Sequence, residues 1–169
     1  MLPSEVIQEL KKNQAIFESL LNGITEKEYL WRWQEDKWCL LEIICHLYDE
    51  EREDFRQRTR CVLEDPSKPL PLIDPSSWVK DRNYMGQSFN QVLSNFLEER
   101  RASIDWLESL FEPKWDNAFQ HPKMGPLTAA FFLSNWVAHD YLHIRQILNL
   151  KFRYLEETSG DKLDYAGNW

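Results

Sequence analysis

Apolar side chains recur every three or four residues in four long segments of this chain, which is the spacing of an amphipathic helix. The pattern predicts four helices, over residues 3–22, 38–63, 87–111 and roughly 126–150. The first half of the second helix is apolar on nearly all sides, which indicates that it is buried. Thr25 and Glu28 form a capping-box sequence, so a short additional turn of helix is expected there.

The connections between the predicted helices differ in length and composition. Residues 64–85 contain four prolines and no sustained hydrophobic period, so we predict a long irregular crossover. A loop precedes the fourth helix, and Pro126 is assigned to the first turn of that helix. No alternation of apolar and polar residues is long enough to predict a strand. We therefore predict an all-α four-helix bundle, in which the long connection lets helices two and three run in the same direction.

Length and charge narrow the class of protein. The 169 residues fit a single domain, 1–169, that can bury a core without disulfides. The net charge of −8 disfavours nucleic acid and anionic membranes as partners. The longest apolar stretch, around residues 127–138, is too short to cross a bilayer. Because the N-terminus also lacks the pattern of a signal peptide, we expect a cytoplasmic protein whose three cysteines are reduced and mostly buried.

Three histidines lie in apolar segments of the predicted helices. His139 and His143 are four residues apart, so both imidazoles lie on one face of the fourth helix. His46 lies in the buried half of the second helix. If these two helices face each other, the three neutral imidazoles can hold a divalent transition metal and leave one position open for water or substrate. Nickel, zinc and iron(II) all suit such ligands.

Three polar residues lie one helical turn from these histidines. Glu50 follows His46 and is the candidate catalytic residue, because it can accept a proton from water or orient it. Its position in an acidic run favours the competing interpretation of a solvated surface residue. Glu42 precedes His46 and can hold the free ring nitrogen of that histidine. Asn135, which precedes His139, is expected to reach the site.

A purely structural explanation competes with the metal site. A buried histidine can simply form a hydrogen bond to a carbonyl or carboxylate, and two histidines four residues apart also occur by chance on helices. His121, next to Pro122, is expected to be exposed in a loop. Tyr165 and Trp169 lie so close to the C-terminus that we expect this aromatic tail to dock on the bundle.

Two helical segments resemble the motifs of the DinB-like superfamily of damage-inducible, YfiT-like proteins. Residues 38–52, WCLLEIICHLYDEER, resemble the second-helix motif, and residues 135–147, NWVAHDYLHIRQI, resemble the last-helix motif. The similarity extends in order over nearly the whole chain, including the terminal YAGNW. Cys39 differs from the Ser or Thr that relatives often have after the motif tryptophan, which predicts a weaker helix cap.

The resemblance implies a bundle with up-down-down-up topology, a metal triad of His46, His139 and His143, nickel or zinc as the metal, and a homodimer. Characterised relatives include S-transferases that use bacillithiol and isomerases that use mycothiol. We therefore predict an enzyme that activates a low-molecular-weight thiol, or water, for reaction with a small-molecule substrate. The alternatives are a metal-dependent hydrolase, for which Glu50 is essential, and a non-catalytic dimeric interaction bundle.

Overall fold

The structure is a computed structural model, and it describes residues 1–167. Its α-helices follow one another as α1 Pro3–Leu21, α2 Glu26–Leu30, α3 Leu40–Glu50, α4 Arg56–Glu64, α5 Pro75–Asp81, α6 Phe89–Ser109 and α7 Ala129–Ser159. A π-helical turn, Glu51–Phe55, joins α3 to α4. Short 3₁₀ turns lie at Tyr84–Gly86 and Asp164–Ala166. A hairpin of β1 Ala118–His121 and β2 Gly125–Thr128 precedes α7.

Four long rods form the bundle: α1, the continuous rod of α3 and α4, α6, and α7. Each rod buries the apolar face that its hydrophobic period predicts. Phe17 of α1 packs edge-on against Phe96 of α6, with ring centroids 5.3 Å apart. Ile44 of α3 and Ile147 of α7 belong to the same buried cluster. The predicted four-helix bundle is therefore confirmed.

Contacts between the rods give their relative directions. Lys11 of α1 approaches Glu108 of α6, whereas Gln14, further along α1, contacts Leu97, so these two helices are antiparallel. The α3–α4 rod runs in the same direction as α6, because Glu51 and Arg56 contact Arg100 and Ser103 respectively. The same rod runs opposite to α7. Its His46 contacts His139, and its Glu51 contacts the earlier residue Trp136.

The crossover between α4 and α6 contains a helix that the sequence pattern did not predict. Asp74 caps α5 by accepting a hydrogen bond from the backbone N–H of Ser76 at 3.2 Å, and Pro75 occupies the first helical position. Both residues are typical of helix N-termini. The prediction of an irregular crossover is wrong over these seven residues because α5 is too short to show a hydrophobic period.

The hairpin before α7 corrects two further predictions. Its strands pair Phe119 with Leu127 and Gln120 with Pro126, so Pro126 lies in a strand and not in the first turn of α7. The helix starts after Thr128, whose hydroxyl accepts a hydrogen bond from the backbone N–H of Phe131 at 3.0 Å. It also continues beyond residue 150, to Ser159. With four residues each, the strands are too short for a recognisable alternation.

We expected the aromatic C-terminal tail to dock on the bundle. Tyr165, one of its two aromatic residues, does not do so, because its side chain is fully exposed. The other aromatic residue of the tail, Trp169, lies outside the described residues. Among residues 1–167, no helix combines the length and apolar character that a bilayer span requires.

Candidate metal centre

Three imidazoles meet between α3 and α7. The Nε2 atom of His139 lies 3.3 Å from Nε2 of His46 and 3.1 Å from Nε2 of His143. Each ring offers one nitrogen to the group, and the three offered atoms lie within 4.8 Å of one another. The structure thus brings together the three histidines that the sequence singled out as ligands.

These separations fit a small divalent cation. Nitrogen ligands about 2.0–2.1 Å from a tetrahedral metal lie about 3.3 Å from one another. Three lone pairs that face each other at such distances repel unless protons or a cation lie between them. A structural zinc site normally has four protein ligands, whereas three ligands leave a position for an exchangeable group. The donor set therefore fits a metal site with one open position.

The rings of the histidines are buried because the helical segments that carry them are apolar. His46 lies one turn after Glu42 on the buried α3, and Trp38 packs against its ring with centroids 5.0 Å apart. Phe55, at the end of the π-helical turn, lies at the same distance from the ring of His139. The two aromatic side chains therefore pack against two of the three imidazoles.

Burial keeps the three imidazoles in the form that binds metals. It lowers the pKa of His46 to about 3, and the charge of His143 contributes to that shift. Burial, followed by the neighbouring histidines and Arg100, lowers the pKa of His139 to about 2. The pKa of His143 is also lowered by burial. Neutral rings with free lone pairs are therefore present at neutral pH.

Gln146 fixes the tautomer of His143. Its amide Oε1 lies 2.8 Å from Nδ1 of His143. Because an amide oxygen only accepts, Nδ1 carries the proton, and the lone pair lies on Nε2, which faces the other two imidazoles. The spacing of one helical turn between the two residues could have identified Gln146 in the sequence.

Glu50 is buried, not solvated, which corrects the surface interpretation of the acidic run. Its Oε1 lies 3.9 Å from Nδ1 of His46, too far for a hydrogen bond. Burial raises the pKa of Glu50 to about 8, and a hydrogen bond and negative charge from Asp54 add to the shift. Glu50 is thus a carboxyl group that can both donate and accept a proton near neutral pH.

Two other predicted neighbours of the histidines lie elsewhere. Glu42 pairs with Arg32 at 2.5 Å and accepts a hydrogen bond from the backbone N–H of Cys39 at 2.9 Å, so it stabilises the start of α3 and does not hold His46. Asn135 is exposed and donates to the carbonyl of Phe131 at 2.8 Å. It lines the pocket beside His139 and does not reach the nitrogen cluster.

The remaining histidine and the cysteines contribute nothing to the cluster. His121 ends β1, half-buried, where its Nδ1 accepts hydrogen bonds from the backbone of the hairpin turn. Cys39 and Cys45 are buried and free, as expected. Burial raises the pKa of the Cys45 thiol to about 12, so that thiol is a poor nucleophile.

A buried ionic network behind the histidines was not predicted from the sequence. The guanidinium of Arg100 donates two hydrogen bonds, of 2.7 and 2.8 Å, to Asp140 and one of 3.0 Å to Glu51. Trp136 also donates to Glu51, and Asn13 to Asp140. The network joins all four rods of the bundle. Its two acids are sequence neighbours of Glu50 and His139, so it fixes the backbone that carries the site.

Two openings flank the cluster along α7. A pocket of 270 Å³ reaches His139 and is walled largely by apolar side chains; its lining residues are Asp54, Phe55, Arg58, Phe131, Phe132, Asn135, Ala138, His139 and Leu142. On the other side, a groove of 610 Å³ reaches His143. The site is therefore accessible to a small molecule.

The comparisons with known proteins agree with this architecture. The chain is similar to a solved structure described as "YfiT from Bacillus subtilis is a probable metal-dependent hydrolase with an unusual four-helix bundle topology". The TM-score is 0.78 at 19% identity, over 90% of this chain and 87% of that one, a likeness that shows the fold alone. No curated protein matches the chain. The family model of the DinB superfamily matches residues 9–147, and the chain therefore belongs to the DinB superfamily.

Proposed function

We propose that this protein is a metal-dependent enzyme that activates a low-molecular-weight thiol for transfer to a small electrophilic substrate. The observation that carries the proposal is the convergence of the three Nε2 atoms of His46, His139 and His143. A divalent cation held there, nickel, zinc or iron(II), lowers the pKa of a thiol or water and so supplies a nucleophile at neutral pH.

The chain's own residues provide the surroundings that this chemistry needs. Phe55, Phe132 and Leu142 offer an apolar wall beside His139, which favours an uncharged part of a substrate and excludes water. The buried thiols of Cys39 and Cys45 have raised pKa values and are poor nucleophiles, which agrees with a reacting thiol that comes from a second small molecule. Both points support a transferase with a separate thiol cosubstrate.

A hydrolase is the second candidate, and the position of Glu50 favours it. Glu50 is buried beside His46, with Oε1 3.9 Å from Nδ1, and the ionised fraction of a carboxyl group with a pKa of about 8 can take a proton from water at the site. The fold neighbour YfiT is itself described as a probable metal-dependent hydrolase. A Glu50→Gln variant separates the two candidates. It should keep its metal and lose thiol-independent hydrolysis if water is the nucleophile, and retain thiol-dependent turnover otherwise.

We further propose that the enzyme works in the cytoplasm as a homodimer. Tyr141, Leu148 and Leu155 are partly exposed on α7 and repeat every seven residues, so they form one apolar stripe along the helix. Burial of this stripe against a second copy would remove it from water. Light scattering at micromolar concentration tests the dimer, and a Leu148→Glu variant should be monomeric.

The experiment that tests the metal site measures metal content by mass spectrometry on untagged protein never exposed to a nickel column. We expect nearly one metal ion per chain, and loss of that ion in His46→Ala and His143→Ala. His121→Ala is the control, because it changes the one histidine outside the cluster. Protein that stays metal-free after incubation with nickel, zinc and iron(II) would overturn both enzyme candidates and leave the non-catalytic bundle.

A further inference from the structure

The groove beside His143 differs in character from the apolar pocket beside His139. Its walls come from α7 and carry two arginines and two amides; the lining residues are Leu142, His143, Arg145, Gln146, Asn149 and Arg153. Among residues 141–155 there is no acidic side chain, although the chain has 28 acidic residues. The groove is therefore a local basic surface on an acidic protein.

The two groove arginines lack the carboxylate partners that six of the ten arginines have. Six arginines pair with acids, and these are Arg32, Arg52, Arg56, Arg58, Arg82 and Arg100. Within residues 1–167, neither Arg145 nor Arg153 forms an ion pair, and Arg145 is exposed. Arg153 donates from Nε to Asn149 at 3.1 Å and lies 4.4 Å above the ring of Trp33. Its guanidinium is thus held in place with its terminal nitrogens free.

The groove reaches the nitrogen cluster at one member, His143. Gln146 lies in its wall and accepts a hydrogen bond from Nδ1–H of His143, so the two side chains form one continuous surface. Leu142 lines both the groove and the apolar pocket beside His139. Arg145 lies two residues from His143, and Arg153 lies ten residues from it, about 15 Å along the helix. A molecule of metabolite size can reach the histidines and an arginine together.

We propose that this groove binds the anionic group, a carboxylate or a phosphate, of the small molecule that reacts at the three-histidine site. Arg145 and Arg153 supply charge-assisted hydrogen bonds, which planar guanidinium groups form well with both kinds of anion. The inference rests on the proposed function for the reaction, but the anion site itself can be measured without metal.

The first experiment titrates inorganic phosphate and, separately, succinate into metal-free protein at low ionic strength and follows the arginine side-chain NMR signals. We expect saturable shifts at Arg145 and Arg153 that weaken with added salt. They should disappear in the Arg145→Gln/Arg153→Gln variant and persist in Arg101→Gln, which changes an exposed arginine on α6. The tighter of the two anions identifies the kind of group. Absence of saturable shifts would overturn the inference, whatever the metal content.

The second experiment compares mercaptosuccinate with its uncharged diamide by calorimetry on zinc-loaded protein. We expect the acid to bind about tenfold more tightly, and the double arginine variant to lose that preference while still binding the diamide. Equal binding of the two thiols would show that the anion site does not bind the molecule that reacts at the histidines. If zinc does not bind while the phosphate or succinate shifts are present, the proposed function fails and the anion site stands.

Discussion

Gln146 determines which nitrogen of His143 is available to a metal. In a free imidazole either nitrogen can carry the proton, and only the hydrogen bond at Nδ1 keeps the lone pair on Nε2. A Gln146→Leu variant has no acceptor at this position, so His143 can change tautomer and rotate. We expect zinc affinity to fall about tenfold, measured by competition with a chromophoric chelator.

The control for this change is Gln91→Leu. Gln91 is an exposed residue of α6 whose amide donates a hydrogen bond to Asn95 at 2.8 Å. The control should keep the zinc affinity of the unchanged protein. Equal affinities for Gln146→Leu and the unchanged protein would mean that the helix backbone alone orients His143.

At the residue scale, the sequence predicted that three histidines come together, but it did not predict the burial of the acidic residues beside them. The spacing of His139 and His143 and the apolar neighbours of His46 were sufficient to propose the cluster. The burial of Glu50 was not predictable, because three consecutive acidic residues normally face water. The π-helical turn that begins at Glu51 widens the rod at this point, and Asp49, Glu50 and Glu51 are all buried beside it.

At the scale of elements, Arg100 connects the rods through charge. It is almost completely inaccessible to solvent, and its partners Glu51 and Asp140 belong to two other rods. Replacement of Arg100 by Met leaves two buried carboxylates without their cation. We expect the free energy of unfolding to fall by about 3–5 kcal/mol, because one partner of a buried ion pair has been removed.

Urea unfolding measures this loss, and Arg101→Met provides a matched control. Arg101 is the next residue of α6 but is exposed, so its replacement should change stability by less than about 0.5 kcal/mol. A similar small change for Arg100→Met would show that the network is not important for stability. Adding Asp140→Asn to Arg100→Met should recover part of the loss, since one uncompensated charge is then removed.

The elements that the sequence did not predict are the short ones. The four rods were predictable because each repeats its hydrophobic period over several turns. The hairpin strands and α5 are too short for a period, and only single residues such as Asp74 and Thr128 indicate them. Arg100 and Arg101 look alike in sequence, and only the packing of three rods decides which one is buried.

At the scale of the whole molecule, the buried titratable groups give the metal-free protein a stability maximum near pH 6.5. Below that pH, the unfolded chain binds protons at His46, His139 and His143, whereas the folded protein does not, because burial lowers their pKa values. Stability therefore falls as the pH decreases from 6.5 towards 5. Each histidine contributes up to about 1.4 kcal/mol per pH unit.

Glu50 acts in the opposite direction. Its folded pKa of about 8 lies above the ordinary value of 4.5, so the folded protein binds one more proton than the unfolded chain between these values. Stability consequently increases as the pH falls from 8, and below pH 6.5 this gain offsets the effect of about one of the three histidines.

Urea unfolding at pH 8, 6.5 and 5, with a chelator present, should show the maximum. Glu50→Gln should remove the loss of stability above pH 6.5 and steepen the loss below it, whereas His139→Asn should reduce only the loss below pH 6.5. A profile that stays flat from pH 8 to 5 would mean that these side chains are solvated in the metal-free protein. The nitrogen cluster would then form only when the metal binds, and would not be preformed.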